Sequence, residues 1–398
     1  MKLKENDVMS HSETAIESNS IRLQKSLKRR TTDNRIDTRC LNALKFFAAC
    51  MIAFVWHYQH FKPQNGSPFA SIFKFGYKEG WLMVELFFTL SGFGMFLGYA
   101  EKIRKRQISF GEYILKRLKK LYPIFFLTLL LVTGLELWHR HLAGKNFVYG
   151  NFDCWHFFLN LIFCQDGVFG KDWSFNAPSW CISICFILYI IHFAVMYFTQ
   201  KKNYALYVYI LLMFIGLTIV KTKIEYPFLL NSLFGRGLSC FSVGVILANI
   251  YQYSDKLNTV LIGHLSLILL ALLYAAYVSD HKAWLGDMHF LFIMLISPLM
   301  ILSLLYVPWL NRLFSIRPLL YLGSLSISIF LFHFLMQCTI RNFDLALKLE
   351  LNYSSKKVWL LYAGSTIIVS AAYNKFAEKG VNALFTRTAG AFLRKRGN

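Results

Sequence analysis

The chain has 398 residues, of which 56% are hydrophobic, 17% aromatic and only 16% charged, with a mean hydropathy of +0.43. That balance excludes a single soluble core, because the apolar residues come in runs too long for a globular domain to bury. The formal net charge of +22 is first a topology signal and only secondarily a hint of an anionic ligand; no nucleic-acid partner is expected.

Residues 1–40 are polar, Ser-rich and basic, and are expected to be a disordered cytoplasmic tail rather than a signal peptide or a domain. From there to residue 373 the sequence reads as one transmembrane domain. Spanning about 30 Å of hydrocarbon takes roughly 20 residues. Windows of that kind fall at 41–60, 80–99, 121–138, 178–198, 204–220, 233–251, 259–278, 287–306, 320–340 and 357–373. The expected fold is therefore all-α and polytopic, with about ten transmembrane helices and membrane lipids as neighbours. With the N-terminus inside, about two thirds of the 43 Lys and Arg residues fall on the cytoplasmic side, so both termini are placed there. Residues 374–398 then form a short basic cytoplasmic tail.

The long outer segment 139–177 contains WHFFLNLIF, aromatic enough to lie at the interface or to dip back into it. Its Cys154 and Cys164 face an oxidising side, where pairing and two separate thiols are both open. The cysteines show no metal-ligand spacing, and no metal is expected.

Ionisable residues inside a membrane are costly, which makes each a functional candidate. With helix 1 running outward, His57 lies roughly 24 Å up the axis, and Glu85 lies about 7 Å below the outer surface. His333 falls in the outer half of its helix, while Ser183 and Arg236 sit in first turns of helices that begin outside. These five side chains share one layer, so an outward-facing polar cavity is expected. His60 is read as an interfacial residue at the headgroup level. At the inner face, EKIRKRQISFGEYILKRLKKLYP (101–123) carries eight basic residues against two acidic ones. It reads either as an amphipathic helix on anionic lipid or as a phosphate site, in which Arg117 and Lys120, at i and i+3, grip one anion.

GWLMVELFFTLSGFGMF (80–96) resembles the second-helix pattern of the acyltransferase-3 family, membrane enzymes that move acyl groups onto surface glycans. Further resemblances follow in order: Leu41 to His57, with a basic residue followed by a histidine; FGEYILKRLKKLYP; NAPSWCISICFILYI; GRGLSCFSVGVIL; and YLGSLSISIFLFHF. Together they cover about 41–373. The resemblance implies an O-acyltransferase, foremost an O-acetyltransferase, of a multi-pass bacterial cytoplasmic membrane. Its donor would be acetyl-CoA or another acyl-CoA, and its acceptor a glycan or lipid-linked saccharide. On that reading His57 is the general base, Glu85 holds its tautomer, and Arg117, Lys120, Lys116 and Lys45 bind the donor phosphates. Ser91, Trp180, Ser183, Arg236 and His333 position the substrates.

The sequence departs from the pattern in three places. Eleven residues separate Lys45 from His57 where ten are usual, a rotation of about 100° that only a helical bulge would undo. Lys120 replaces a common arginine, keeping the charge and losing the bidentate fork. Cys185 stands where a glutamate is common, so that role is either dispensable or taken by Glu85. Two other function classes stay open: a transporter or flippase-like protein, and a non-enzymatic scaffold or sensor.

Overall fold

A computed structural model describes residues 37–169, 172–199, 202–226, 228–279 and 286–383. Nearly all of the tail expected over 1–40, and the end of the C-terminal one, lie outside these residues. The part of the C-terminal tail that is described continues as helix to residue 383.

All ten apolar windows form helices. In chain order they are α1 (Cys40–Phe61), α2 (Lys74–Arg104), α3 (Phe110–Ala143), the short α4 (Cys154–Leu161), α5 (Ala177–Phe198), α6 (Lys202–Thr222) and α7 (Ser232–Tyr251). Then follow α8 (Thr259–Val278), α9 (Met288–Tyr306), α10 (Pro308–Phe314), α11 (Arg317–Ser324), α12 (Ser326–Leu347) and α13 (Lys356–Ala372). Among the described residues, eight helices are long and apolar enough to cross a membrane, or nine if α11 and α12, bent by 53°, count as one span. The expectation was ten. The difference lies in α13, which is helical without a break to residue 383 but whose apolar run is diluted by Lys356, Lys357, Gly364, Ser365, Thr366, Ser370, Asn374 and Lys375, so it does not meet the length and polarity of a span.

α3 is far longer than its apolar window. It starts at a capping box, in which Ser109 accepts from the Glu112 N–H and Glu112 accepts from the Ser109 N–H, satisfying two orphan donors. At 34 residues it rises about 51 Å. The basic stretch is thus the first three turns of the same rod that crosses the bilayer.

Lipid offers no hydrophobic drive between helices, so close approach depends on small residues. α2 and α7 meet through glycines: a Cβ on Gly92 would lie 2.1 Å from the Phe241 carbonyl oxygen, and one on Gly244 would lie 2.0 Å from that of Thr89.

α1 is not a uniform helix. It is α-helical over Cys40–Cys50, π-helical over Met51–Trp56 and 3-10 over His57–Phe61. Glycines of α2 admit the wide turn, since a Cβ on Gly76 would lie 2.2 Å from Met51 Sδ and one on Gly80 would lie 2.9 Å from Trp56 Cβ. The irregular backbone is satisfied by side chains. Tyr362 Oη donates to the Ala53 carbonyl at 2.9 Å, Trp359 Nε1 to Phe54 at 2.6 Å and Gln337 Nε2 to His57 at 2.8 Å.

Gly244→Ala or Gly92→Ala forces backbone apart and is expected to cost more than the roughly 1–3 kcal/mol typical of overpacking. Gly98→Ala meets nothing within 4 Å and should be neutral or stabilising by about 1 kcal/mol. Thermal unfolding of the three variants in one detergent would check both.

Candidate functional site

His57 ends the π turn of α1 and faces His333 of α12. Its Nδ1 lies 2.8 Å from His333 Nε2, and the rings are nearly parallel, at 8°, with centroids 4.9 Å apart. The proton positions follow from one fixed end. His333 Nδ1 lies 2.6 Å from the Phe330 carbonyl, which can only accept, so that nitrogen carries hydrogen. In the neutral ring Nε2 is then an acceptor, and His57 Nδ1 must donate to it. The lone pair of His57 is thereby assigned to Nε2, which has no hydrogen-bond partner among the described residues.

A second strand of bonds holds the same corner. His60 joins the same cluster, its ring 4.8 Å from that of His57. Its Nδ1 donates to Gln337 Oε1 at 3.0 Å, and Tyr149 Oη donates to its Nε2 at 3.4 Å. Burial pushes the Tyr149 phenol up from its ordinary value, so it stays protonated as a donor, and Cys338, Asp166 and Glu136 add smaller effects in the same direction.

Glu85 does not support His57. Its Oε1 accepts from Arg236 Nε at 2.6 Å and from His289 Nε2 at 2.9 Å, and the carboxylate is fully buried. The reason is helix phase. Glu85 shares the side of α2 that packs on α7, whereas Phe87 turns toward α12, its ring 5.8 Å from that of Phe330. Arg236 is clamped between Trp81 and Trp180, with its Cζ 5.0 and 5.2 Å from the ring centroids. The expected single polar layer is therefore two clusters: His57 with His333, and Glu85 with Arg236. Ser183 Oγ is buried without a partner among the described residues.

Toward the basic end the structure brings together residues far apart in sequence. A cavity of about 290 Å³ is lined by Lys45, Ser91, Arg117, Lys120, Cys185 and Phe330, among others, and none of the described residues lining it is acidic. The Arg117 guanidinium bonds the Tyr99 hydroxyl and lies 4.6 Å from that ring, yet its Nε is buried with no partner among the described residues. Ser91 Oγ meets Tyr189 Oη at 2.9 Å, and Cys185 fills the space beside them. Lys116 is exposed and does not line the cavity. Lys45 does, because the π turn absorbs the extra residue between it and His57. Phe330 joins the two regions, with its ring on the cavity and its carbonyl on His333. Cys154 and Cys164 are free thiols.

Sequence reasoning missed His289, Gln337 and Tyr149. His289 sits one turn into an apolar window, the same signal that singled out His57. Gln337 is four residues beyond His333 on the same helix face, whereas nothing local marked Tyr149.

The helices and this buried polar constellation define a polytopic membrane protein with an internal basic cavity. Residues 38–375 match the family model described as Acyltransferase domain (Acyl_transf_3), so the chain belongs to the acyltransferase-3 family and is a membrane acyltransferase. No curated protein and no solved structure matches it.

Removing one partner of a buried ion pair typically costs about 3–5 kcal/mol. Arg236→Ala is therefore expected to destabilise strongly, and the Arg236→Ala, Glu85→Gln double variant to recover part of the loss. A melting temperature in the double variant no higher than in the single one would count against this account.

Proposed function

We propose that this acyltransferase moves an acyl group, acetyl first, from cytosolic acyl-CoA to a hydroxyl of a cell-surface or lipid-linked saccharide at the outer face of a bacterial cytoplasmic membrane. The observation that carries the reading is the one-way hydrogen bonding from His57 through His333 to the Phe330 carbonyl, which leaves the lone pair of His57 Nε2 open as a base.

The cavity supports the donor side. Three cations, with an Arg117 nitrogen that has no partner and no carboxylate lining the cavity among the described residues, make a wall suited to a polyanion such as the phosphates of coenzyme A. From Lys45 to His57 the helix rises roughly 18 Å, comparable to an extended phosphopantetheine arm. Phosphates at Arg117, Lys120 and Lys45 would thus place the thioester at the histidines.

His57 Nε2 takes the proton of the acceptor hydroxyl as its oxygen attacks the thioester carbonyl. The new C–O bond forms, the C–S bond breaks, and the proton passes from His57 to the departing sulfur to give the free thiol. General-base assistance of this kind contributes about 10²–10⁴-fold. His333 holds the tautomer, the role first expected of Glu85. The Glu85–Arg236–His289 cluster then acts as a buried brace between α2, α7 and α9.

Acetyl-CoA is expected to raise the melting temperature of the wild type, and the shift should vanish in the Arg117→Ala, Lys120→Ala double variant. His57→Ala should keep that shift and lose acyl transfer by about 10²–10⁴-fold. Unimpaired transfer in His57→Ala, or an acetyl-CoA shift indifferent to both cations, would overturn the assignment.

A further inference from the structure

α3 carries cations at both ends, and the catalytic reading uses only one set. Arg117 and Lys120 line the donor cavity, while Arg140 lies on the last turn of the same helix, roughly 35 Å further along its axis. That exceeds the hydrocarbon thickness of about 30 Å, so the two sets serve opposite faces of the bilayer. The helix ends at Gly144, which takes a φ of +69° and donates its N–H to the Arg140 carbonyl at 2.9 Å, the left-handed stop that glycine allows.

The segment beyond that stop is built on Asn146. Its Nδ2 donates to the Tyr149 and Gly150 carbonyls at 2.7 and 2.9 Å, which turns its Oδ1 to accept from Arg140 Nε at 2.6 Å. The guanidinium also lies over Phe152, its Cζ 4.8 Å from the ring centroid. Arg140 is thus held in place, and its two Nη groups have no hydrogen-bond partner among the described residues. The back of the segment is apolar, with the Phe147 and Tyr149 rings 6.3 and 5.1 Å from that of Phe334 on α12. Its front is open, since a Cβ on Gly144 or Gly150 would meet nothing within 4 Å.

Arg140, Lys145, Asn146, Tyr149 and the two glycines line one cavity of about 590 Å³, within the roughly 300–1,000 Å³ usual for ligand pockets. Arg140 and Lys145 are exposed, and no described carboxylate lies within ion-pair distance of either. Glu136, one turn earlier on α3, is committed elsewhere, accepting from the Phe147 N–H at 3.1 Å and from the Cys338 thiol at 3.7 Å. Cations at a helix C-terminus complement its macrodipole, but that does not explain why a fixed side-chain amide braces Arg140 and leaves its fork unused. A lipid phosphate would engage the two charges and leave most of the volume empty. A charged sugar meets both features, its oxyanion matching the guanidinium fork and its ring filling the space beside the bare peptide groups. Position links the cavity to the catalytic corner: Tyr149 lines it and donates its hydroxyl to His60 Nε2 at 3.4 Å, and the His60 ring stacks on that of His57.

We propose that Arg140 and Lys145, braced by Asn146, form an oxyanion site on the acceptor face of this enzyme, which holds the phosphate or carboxylate of an anionic saccharide. This rests on the acyltransfer reading above. The acceptor is then a charged sugar, and these two cations set its KM without touching the reacting atoms.

The test uses the full chain in phosphatidylcholine nanodiscs and reads by mass spectrometry how fast a water-soluble amine-acetylating reagent modifies Lys145, with the exposed Lys62 and Lys348 as references. Methyl glucuronide or glucose 1-phosphate should slow modification of Lys145 about threefold or more and leave the references unchanged, and methyl glucoside should not. Arg140→Gln should abolish the protection while keeping a melting temperature near that of the wild type; the wild-type comparison stands even if that variant does not fold. The protecting sugar should also accelerate thiol release from acetyl-CoA in the wild type and not in Arg140→Gln. The site is overturned if neither anionic sugar protects, if methyl glucoside protects as well, or if protection brings no acceleration. Equal protection by inorganic phosphate would make it a simple anion site, and protection on replacing phosphatidylcholine with phosphatidylglycerol a lipid headgroup site; either result overturns the saccharide. A missing acetyl-CoA melting shift with protection intact would instead reject the acyl-CoA reading alone.

Discussion

The wide turn of α1 is the constraint on which the site depends. A regular α-helix with eleven residues between Lys45 and His57 would point the two to different sides. The π segment Met51–Trp56 lets the lysine line the basic cavity while the histidine meets α12. Such a turn frees backbone carbonyls in a medium without water, where each must find a partner. Trp359, Tyr362 and Gln337 provide them, and Gly76 and Gly80 give the room. α1, α2, α12 and α13 therefore hold a single irregularity together.

Charge in the membrane interior is handled in two different ways. Glu85 is neutralised at contact distance by Arg236 and His289, with tryptophan rings covering the arginine, so its field is largely spent within the cluster. The histidine pair instead avoids charge in the resting state, with each proton bonded and the string ending on a backbone oxygen. Keeping the two apart matters. A carboxylate against His57 would favour the charged imidazolium and remove the lone pair that the proposed chemistry needs.

How much of this could be read in the sequence depended on range. Hydropathy located every long helix, because a bilayer imposes one length and one polarity on all of them. It did not find the break at Leu325 between α11 and α12, because Gly323 and Ser324 beside it sit in an apolar run that a hydropathy window reads straight through. Depth along each helix was legible, and it rightly put His57 and His333 near one level. Azimuth was not, since one residue's error in phase is about 100°, and Glu85 was assigned to the wrong neighbour for that reason. Lys45 looked misplaced on an ideal helix, and the bulge that corrects it is held by tertiary contacts from residues 76, 80, 359 and 362. The basic cavity was half visible, as Arg117 and Lys120 at i and i+3; Lys116, on the same stretch, turns out to lie off it. The buried amides Asn160, Gln165 and Asn176 gave no signal, because a single amide in an aromatic segment reads the same whether it ends up buried or exposed.

The way His333 is tethered has a consequence for where a proton can travel. On the proposed reading, positive charge gained by His57 can spread to the second ring by a shift along the bond between them. It can go no further, because the chain of donors ends at a peptide oxygen that does not take a proton. The relay is a dead end at that oxygen, so what leaves the attacking alcohol comes back out through the same ring nitrogen. Acid and base are then one nitrogen at two moments, and turnover needs no exchange of protons with either side of the bilayer.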